Sequence, residues 1–145
     1  MNQQPLPSHL RRAFIDTSAF FALTAPRDGD HLTASEIKNR LSTEHWRIYT
    51  TNFVLVETHA LLLARLGRFI ALSILQEIGH SSTTIVRISV ADEYKALQIL
   101  NQYDDKDFSL TDATSFAVME RLRIPYAFTF DRDFAQYGLT VLAVS

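Results

Sequence analysis

The apolar positions of this 145-residue chain follow two rhythms. Short unbroken runs rich in aromatic and β-branched residues read as buried strands at residues 12–16, 46–50, 84–88, 126–130 and 139–144. Between them, apolar residues recur at helical spacing, as in Leu32, Ile37 and Leu41, or Ala96, Leu97 and Leu100. These stretches predict helices over 17–23, 31–44, 51–66, 68–78, 90–103 and 109–122. Their ends carry the expected punctuation: Thr51 to cap the third, Gly67 to follow its last residue, Gly79 to close the fourth, and Ser109 to open the last. Pro26 and Asp28-Gly29-Asp30 stop the first helix, and residues 104–107 form a charged loop. Residues 1–11 are polar with two prolines and predict a flexible N-terminal arm, with one domain over 12–145. Strands alternating with helices and helix pairs predict an α/β fold: a parallel sheet of four to five strands sandwiched between helices.

Four carboxylates break this pattern. Asp16 ends Phe14-Ile15-Asp16, Asp131 ends Phe128-Thr129-Phe130-Asp131, Asp112 stands in the first turn after Ser109, and Glu57 interrupts a stretch apolar on nearly every side from Phe53 to Leu66. A buried carboxylate is costly to desolvate and is rarely kept without a partner. In open α/β sheets, sites form beyond the carboxyl ends of the strands. There all four acids can meet, and their mutual repulsion calls for a divalent cation with oxygen ligands. Each acid also has a plain structural reading. Asp16 can cap the helix at Thr17, Asp112 fits the third position of a capping box, and Asp131 can cap the turn into Asp133-Phe134. Glu57 would need Arg65 or Arg68 as an internal partner. Asp133 competes with Asp131 for the fourth place, which falls to Asp131 because it directly follows the strand. Thr17, Ser18 and Thr129 are placed to orient these carboxylates.

Composition narrows the chemistry. With no cysteine there are no disulfides and no thiolate metal sites, which suits the cytoplasm. No apolar run is long enough to span a bilayer, so no membrane role is expected. The net charge of −2 disfavours a large basic footprint, but setting the four acids aside leaves 12 acidic against 14 basic residues. The five histidines are scattered without a His-Glu-x-x-His pair, and the four glycines form no phosphate-binding loop. No Gly-x-Ser-x-Gly elbow is present. A phosphatase with Asp16 as nucleophile would need a second acid two residues on, where Ser18 stands. Phe20, Phe21, Phe116 and Phe128 read as core, and Arg65, Arg68, Lys106 and Arg132 as solvated cations within reach of phosphates.

Taken in order, Phe14-Ile15-Asp16-Thr17-Ser18, the Glu57 helix, Ser109-Leu110-Thr111-Asp112-Ala113 and Thr129-Phe130-Asp131-Arg132-Asp133-Phe134 resemble the motifs of a PIN domain, over residues 12–144. In size the chain is similar to the VapC toxins of bacterial and archaeal toxin–antitoxin pairs. The resemblance implies a Mg²⁺- or Mn²⁺-dependent endoribonuclease acting on RNA, often a homodimer, inhibited by a VapB-type antitoxin. It also implies that Asp16, Glu57, Asp112 and Asp131 form the acidic quartet that holds metal, with Asp16 and Asp112 the most strictly required and the final acid the most variable. A non-catalytic PIN module that binds RNA or protein is the alternative.

Overall fold

The computed structural model describes residues 6–143. Five strands form one parallel sheet: β1 (Arg12–Ile15), β2 (Arg47–Thr51), β3 (Thr84–Val86), β4 (Tyr126–Phe128) and β5 (Thr140–Val141), in the order β3-β2-β1-β4-β5. The helices are α1 (Thr17–Thr24), α2 (His31–Thr43), α3 (Asn52–Leu66), α4 (Arg68–His80), α5 (Val90–Gln102), α6 (Leu110–Leu122) and α7 (Asp133–Tyr137). The α/β sandwich expected from the alternating pattern is the fold observed. The chain leaves β1 toward β2 on one side and returns beyond it to β4 on the other, so the crevice for a site opens past the ends of β1 and β4.

Local chemistry accounts for most boundaries. The Thr51 hydroxyl accepts from Val54 N–H at 3.1 Å and starts α3. Gly67, at φ 90°, ends α3 and donates its N–H to the Leu62 carbonyl, a backbone shape that favours glycine. Ser89 with Asp92 and Ser109 with Asp112 form complete capping boxes on α5 and α6. Gly79 does not close α4. The helix runs through it to His80 and is stopped by Ser81, whose N–H and hydroxyl both donate to the Ile78 carbonyl. Strand β4 ends at Phe128, earlier than expected, because the next backbone donors leave the ladder. Phe130 N–H donates to the Ser18 hydroxyl and Asp131 N–H to the Thr129 hydroxyl. Helix α7 was not anticipated; five residues are too few to show a period. Of the arm expected over 1–11, residues 1–5 lie outside the described residues, residues Ser8–Leu10 form a 3-10 turn, and Leu6 packs on the core. Residue 144 of the last expected strand also lies outside the described residues.

The core ties the future site together. Phe14, Phe116, Phe128 and Phe134 are fully buried, each worth about 1.5–3 kcal/mol relative to exposure. The Phe134 ring lies 6.3 Å from Phe14 and 5.0 Å, nearly perpendicular, from Phe116. Phe14 precedes Asp16 on β1, Phe116 lies one turn after Asp112 on α6, and Phe134 adjoins Asp133 on α7. One aromatic cluster therefore sets the spacing of three acid-bearing segments.

Helices α5 and α6 are joined by an ion pair that the sequence did not reveal. Asp92 is 3% exposed and receives both Arg121 Nε and an Arg121 terminal nitrogen at 2.9 Å. Burial alone would raise the Asp92 carboxyl. The Arg121 guanidinium and the Ser89 backbone outweigh it and hold the group below its usual range. Removing the cation strands a buried carboxylate, although Arg121 is itself partly solvated. Arg121→Ala is expected to lower unfolding free energy by about 1–3 kcal/mol in urea denaturation at pH 7. A change within error would show the pair to be energetically idle.

Candidate metal centre

Three of the four singled-out acids converge. Asp16 follows β1, the central strand, and extends the ladder by donating its N–H to Phe128 O at 3.1 Å. It occupies the N-cap position of α1 without making a side-chain cap bond. Instead its Oδ2 accepts from the Ser18 and Thr129 hydroxyls, both at 3.1 Å. Asp112 arrives on the first turn of α6, where its Oδ2 accepts from Ser109 N–H at 3.2 Å. Asp131 lies in the loop after β4 and accepts from Asp133 N–H at 2.9 Å through Oδ1. In each of the three acids a single oxygen accepts the bonds just given.

Asp133 joins them. One carboxylate oxygen from each of Asp112, Asp131 and Asp133 lies within 4.8 Å of the others. The choice between Asp131 and Asp133 posed by the sequence is thus not exclusive in space. A two-residue offset across the tight turn into α7 sends both side chains to the same side.

Electrostatics mark the group as short of positive charge. Burial pushes the Asp16 carboxyl up to about 6, against hydrogen bonds from Thr17, Thr129 and Ser18, and the Asp131 charge adds to the rise. Burial likewise raises Asp112 to about 7. The Ser109 bond opposes this, while the charges of Asp131 and Asp16 and the contact with Asp133 reinforce it. Asp131 is raised by burial; the Asp133 backbone N–H and, less so, the Arg132 charge oppose this, while the Asp133 carboxylate adds to the rise. None of these acids forms an ion pair with a lysine or arginine among the described residues. A crowded, partly buried set of hard carboxylate oxygens suits a hard divalent cation such as Mg²⁺ or Mn²⁺.

Glu57 departs from its expectation. It is exposed and stands outside the cluster. Only Val54, Thr58 and Leu62 of α3 are buried, and Val56 is 71% exposed, so the apolar residues around Glu57 partly face solvent. No large desolvation cost falls on Glu57, and neither Arg65 nor Arg68 pairs with it. Its helix nevertheless borders the site. Val54 O accepts from the Thr17 hydroxyl at 3.5 Å, and the Thr58 hydroxyl donates to Thr17 Oγ1 at 3.3 Å. Thr58 thus joins α3 to the start of α1, while Glu57, the residue before it, is exposed.

Ser18 and Thr129 do more than the sequence suggested. Each hydroxyl accepts a backbone N–H from the β4–α7 loop and donates toward Asp16 or toward the other hydroxyl. They clip the loop bearing Asp131 to the acid at the end of β1. Ser18→Ala is expected to weaken Mn²⁺ binding about tenfold, and Ser18→Thr to restore it. Calorimetric titration of Mn²⁺ into the three proteins checks this; equal affinities would remove Ser18 from the assembly.

Comparison with known proteins follows the same lines. A family model described as PIN domain matches residues 13–139. The chain is similar to the 23S rRNA-specific endonuclease VapC20 of two Mycobacterium tuberculosis strains, at 37% identity over 128 residues, covering 86% of this chain and 93% of each relative. A crystal structure of M. tuberculosis VapC20, described as a sarcin-ricin loop cleaving toxin, superposes with a TM-score of 0.82 at 32% identity, over 91% of this chain and 99% of that one. A toxin–antitoxin complex from Klebsiella pneumoniae (TM-score 0.61, 19% identity, 90% and 96% covered) and FitAcB from Neisseria gonorrhoeae (0.65, 13%, 90% and 96%) share the fold.

Proposed function

Because the chain belongs to the PIN domain family, we propose that it is a metal-dependent endoribonuclease and the toxin of a VapBC-type pair. The observation that carries this reading is the meeting of Asp16, Asp112, Asp131 and Asp133 in a crevice where, among the described residues, none of them forms an ion pair. Asp16, Asp112 and Asp131 would hold Mg²⁺ or Mn²⁺, with Asp133 beside them. Such an ion, when bound, activates water and offsets the negative charge that builds on a phosphodiester during hydrolysis. The chain's own residues do the rest. Ser18 and Thr129 hold Asp16 in one orientation, the Ser109 capping box aims Asp112, and the exposed Glu57 offers an acceptor to position a water molecule.

RNA as substrate and a VapB-type antitoxin as partner are supported by the descriptions of VapC20 as an rRNA endonuclease and a toxin. An RNA target also supports action in the cytoplasm, and no described helix is long and apolar enough to cross a membrane. The test is cleavage of unpaired RNA by the purified protein with Mg²⁺ or Mn²⁺, lost in EDTA. RNA binding without turnover at any metal concentration would leave a non-catalytic module instead.

Self-association, implied by the resemblance, is supported by Val90, Tyr94 and Leu97. They recur at helical spacing on α5 and are all more than half exposed. Tyr94→Glu combined with Leu97→Glu is expected to convert a dimer to a monomer in sedimentation analysis. A wild-type chain that sediments as a monomer at high concentration would end the homodimer proposal.

A further inference from the structure

A cavity of about 310 Å³ opens beside the acids. Its wall is made by Ser18, Phe21, Asp28, Asp30, Leu61, Arg65 and Phe130. Two of these residues belong to the clip already described: Ser18 donates to Asp16, and Phe130 N–H donates to Ser18. The cavity thus begins one hydrogen bond from Asp16. Leu61 and Arg65 follow Glu57 at successive intervals of four along α3, so they lie on the same helix face.

The lining combines three kinds of contact. Phe21 and Phe130 are half-buried and present ring surface, and Phe130 is held edge-on against the buried Phe128 at 6.2 Å. Aromatic faces beside a phosphodiester-cleaving site suit a stacked base. Arg65 is exposed and forms no ion pair with Asp28 or Asp30, although all three line one cavity. The space between a cationic fork and two carboxylates is left open for a ligand. Asp28 spends Oδ2 on its own turn, accepting Asp30 N–H at 3.0 Å, which fixes its side chain and leaves Oδ1 as an acceptor.

We propose that this cavity receives the guanine base of a nucleotide adjoining the scissile phosphate in unpaired RNA. The proposal rests on the ribonuclease reading above and names part of its substrate. Guanine alone among the four bases offers both halves of the match. Its O6 and N7 are paired acceptors for an arginine fork, and its N1–H and N2–H₂ are paired donors for a carboxylate. Adenine puts a donor beside N7, where Arg65 offers only donors. Cytosine offers N3 and O2 as adjacent acceptors but no second edge with paired donors for a carboxylate, and uracil has no two adjacent acceptors.

Binding of GMP without metal tests the cavity apart from cleavage. In protein-observed NMR titrations, GMP is expected to shift the resonances of Phe21, Phe130 and Arg65, with AMP, CMP and UMP at least about tenfold weaker. Asp28→Asn keeps an oxygen for the Asp30 turn but presents an amide donor to a donor edge. It should lose the preference for GMP while unfolding at the wild-type temperature. Arg65→Gln should weaken GMP about tenfold. In cleavage assays on short RNAs, replacing the guanosine beside the cut by inosine or 7-deazaguanosine should lower kcat/KM. Equal binding of all four nucleotides, no GMP binding, or shifts confined to the neighbourhood of Asp112 and Asp131 would overturn the guanine site and leave the ribonuclease untouched. GMP binding with no RNA cleaved would instead uphold the cavity and overturn the nuclease.

Discussion

Asp112→Asn is expected to reduce metal-dependent RNA cleavage by more than about a hundredfold in kcat/KM, since even groups that only orient metal ligands are worth 10–100-fold. Asparagine still accepts from Ser109 N–H through its amide oxygen, so the capping box and the start of α6 survive. What disappears is one anionic oxygen from the set made with Asp131 and Asp133. The same substitution should raise the thermal midpoint of the metal-free protein at pH 8 by a few degrees, because it removes a charge whose burial, reinforced by its acidic neighbours, pushes Asp112 up to about 7. A fall in activity together with a gain in metal-free stability separates loss of a ligand from loss of the fold. Cleavage at the wild-type rate by Asp112→Asn would contradict the proposed metal centre outright.

Raising the pH from 5 to 8 in EDTA should lower the stability of the wild-type protein, on the order of 2 kcal/mol. Asp16 and Asp112 titrate near 6 and 7 when folded, against 3.8 for an ordinary aspartate. The folded state therefore retains protons that the unfolded chain has released. The stabilisation from these groups is complete below about pH 4 and is lost as the pH rises through 6 to 7. Because the groups interact, the loss belongs to the cluster rather than to either residue. Asp92 has the opposite sign. Held below its usual range, it stabilises the fold above about pH 4 and stops doing so only under more acid conditions, outside this window. Mg²⁺ or Mn²⁺ competes with protons for the site acids, so its stabilising effect should be larger at pH 8 than at pH 5. Calorimetric melting with and without Mn²⁺ checks both halves. A metal-free midpoint that climbs steadily from pH 5 to 8 would mean that the acids are neither buried nor crowded as described.

The legible and illegible parts of the site differ in kind. Asp16 and Asp112 could be found because each stands where an element begins or ends, and element ends carry local signatures: the close of an apolar run, or a serine three residues ahead. Glu57 was drawn into the interior by counting apolar neighbours along α3. Burial on a helix is decided by the face it turns inward, and Val56 and Leu63 show that apolar residues also occupy the outer face. On α5 likewise, Leu97 is 57% exposed while Ile99 is buried. Asp133 was a second choice because nothing local says that the turn into α7 points it at Asp112. Asp92 and Arg121 pair across 29 residues, with no periodic signal to connect them.

From the sequence alone came the alternation of strands and helices, the caps at Thr51 and Ser109, and the acids at Asp16 and Asp112, since these depend on hydrogen bonds and side-chain periods within a few residues. The tertiary structure decided which acids share one crevice, where β4 releases its backbone to Ser18 and Thr129, and that Glu57 is exposed. Those outcomes depend on how β1, β4, α3, α6 and α7 pack around Phe14, Phe116 and Phe134, and contacts between residues a hundred positions apart leave no mark on their immediate neighbours in the chain.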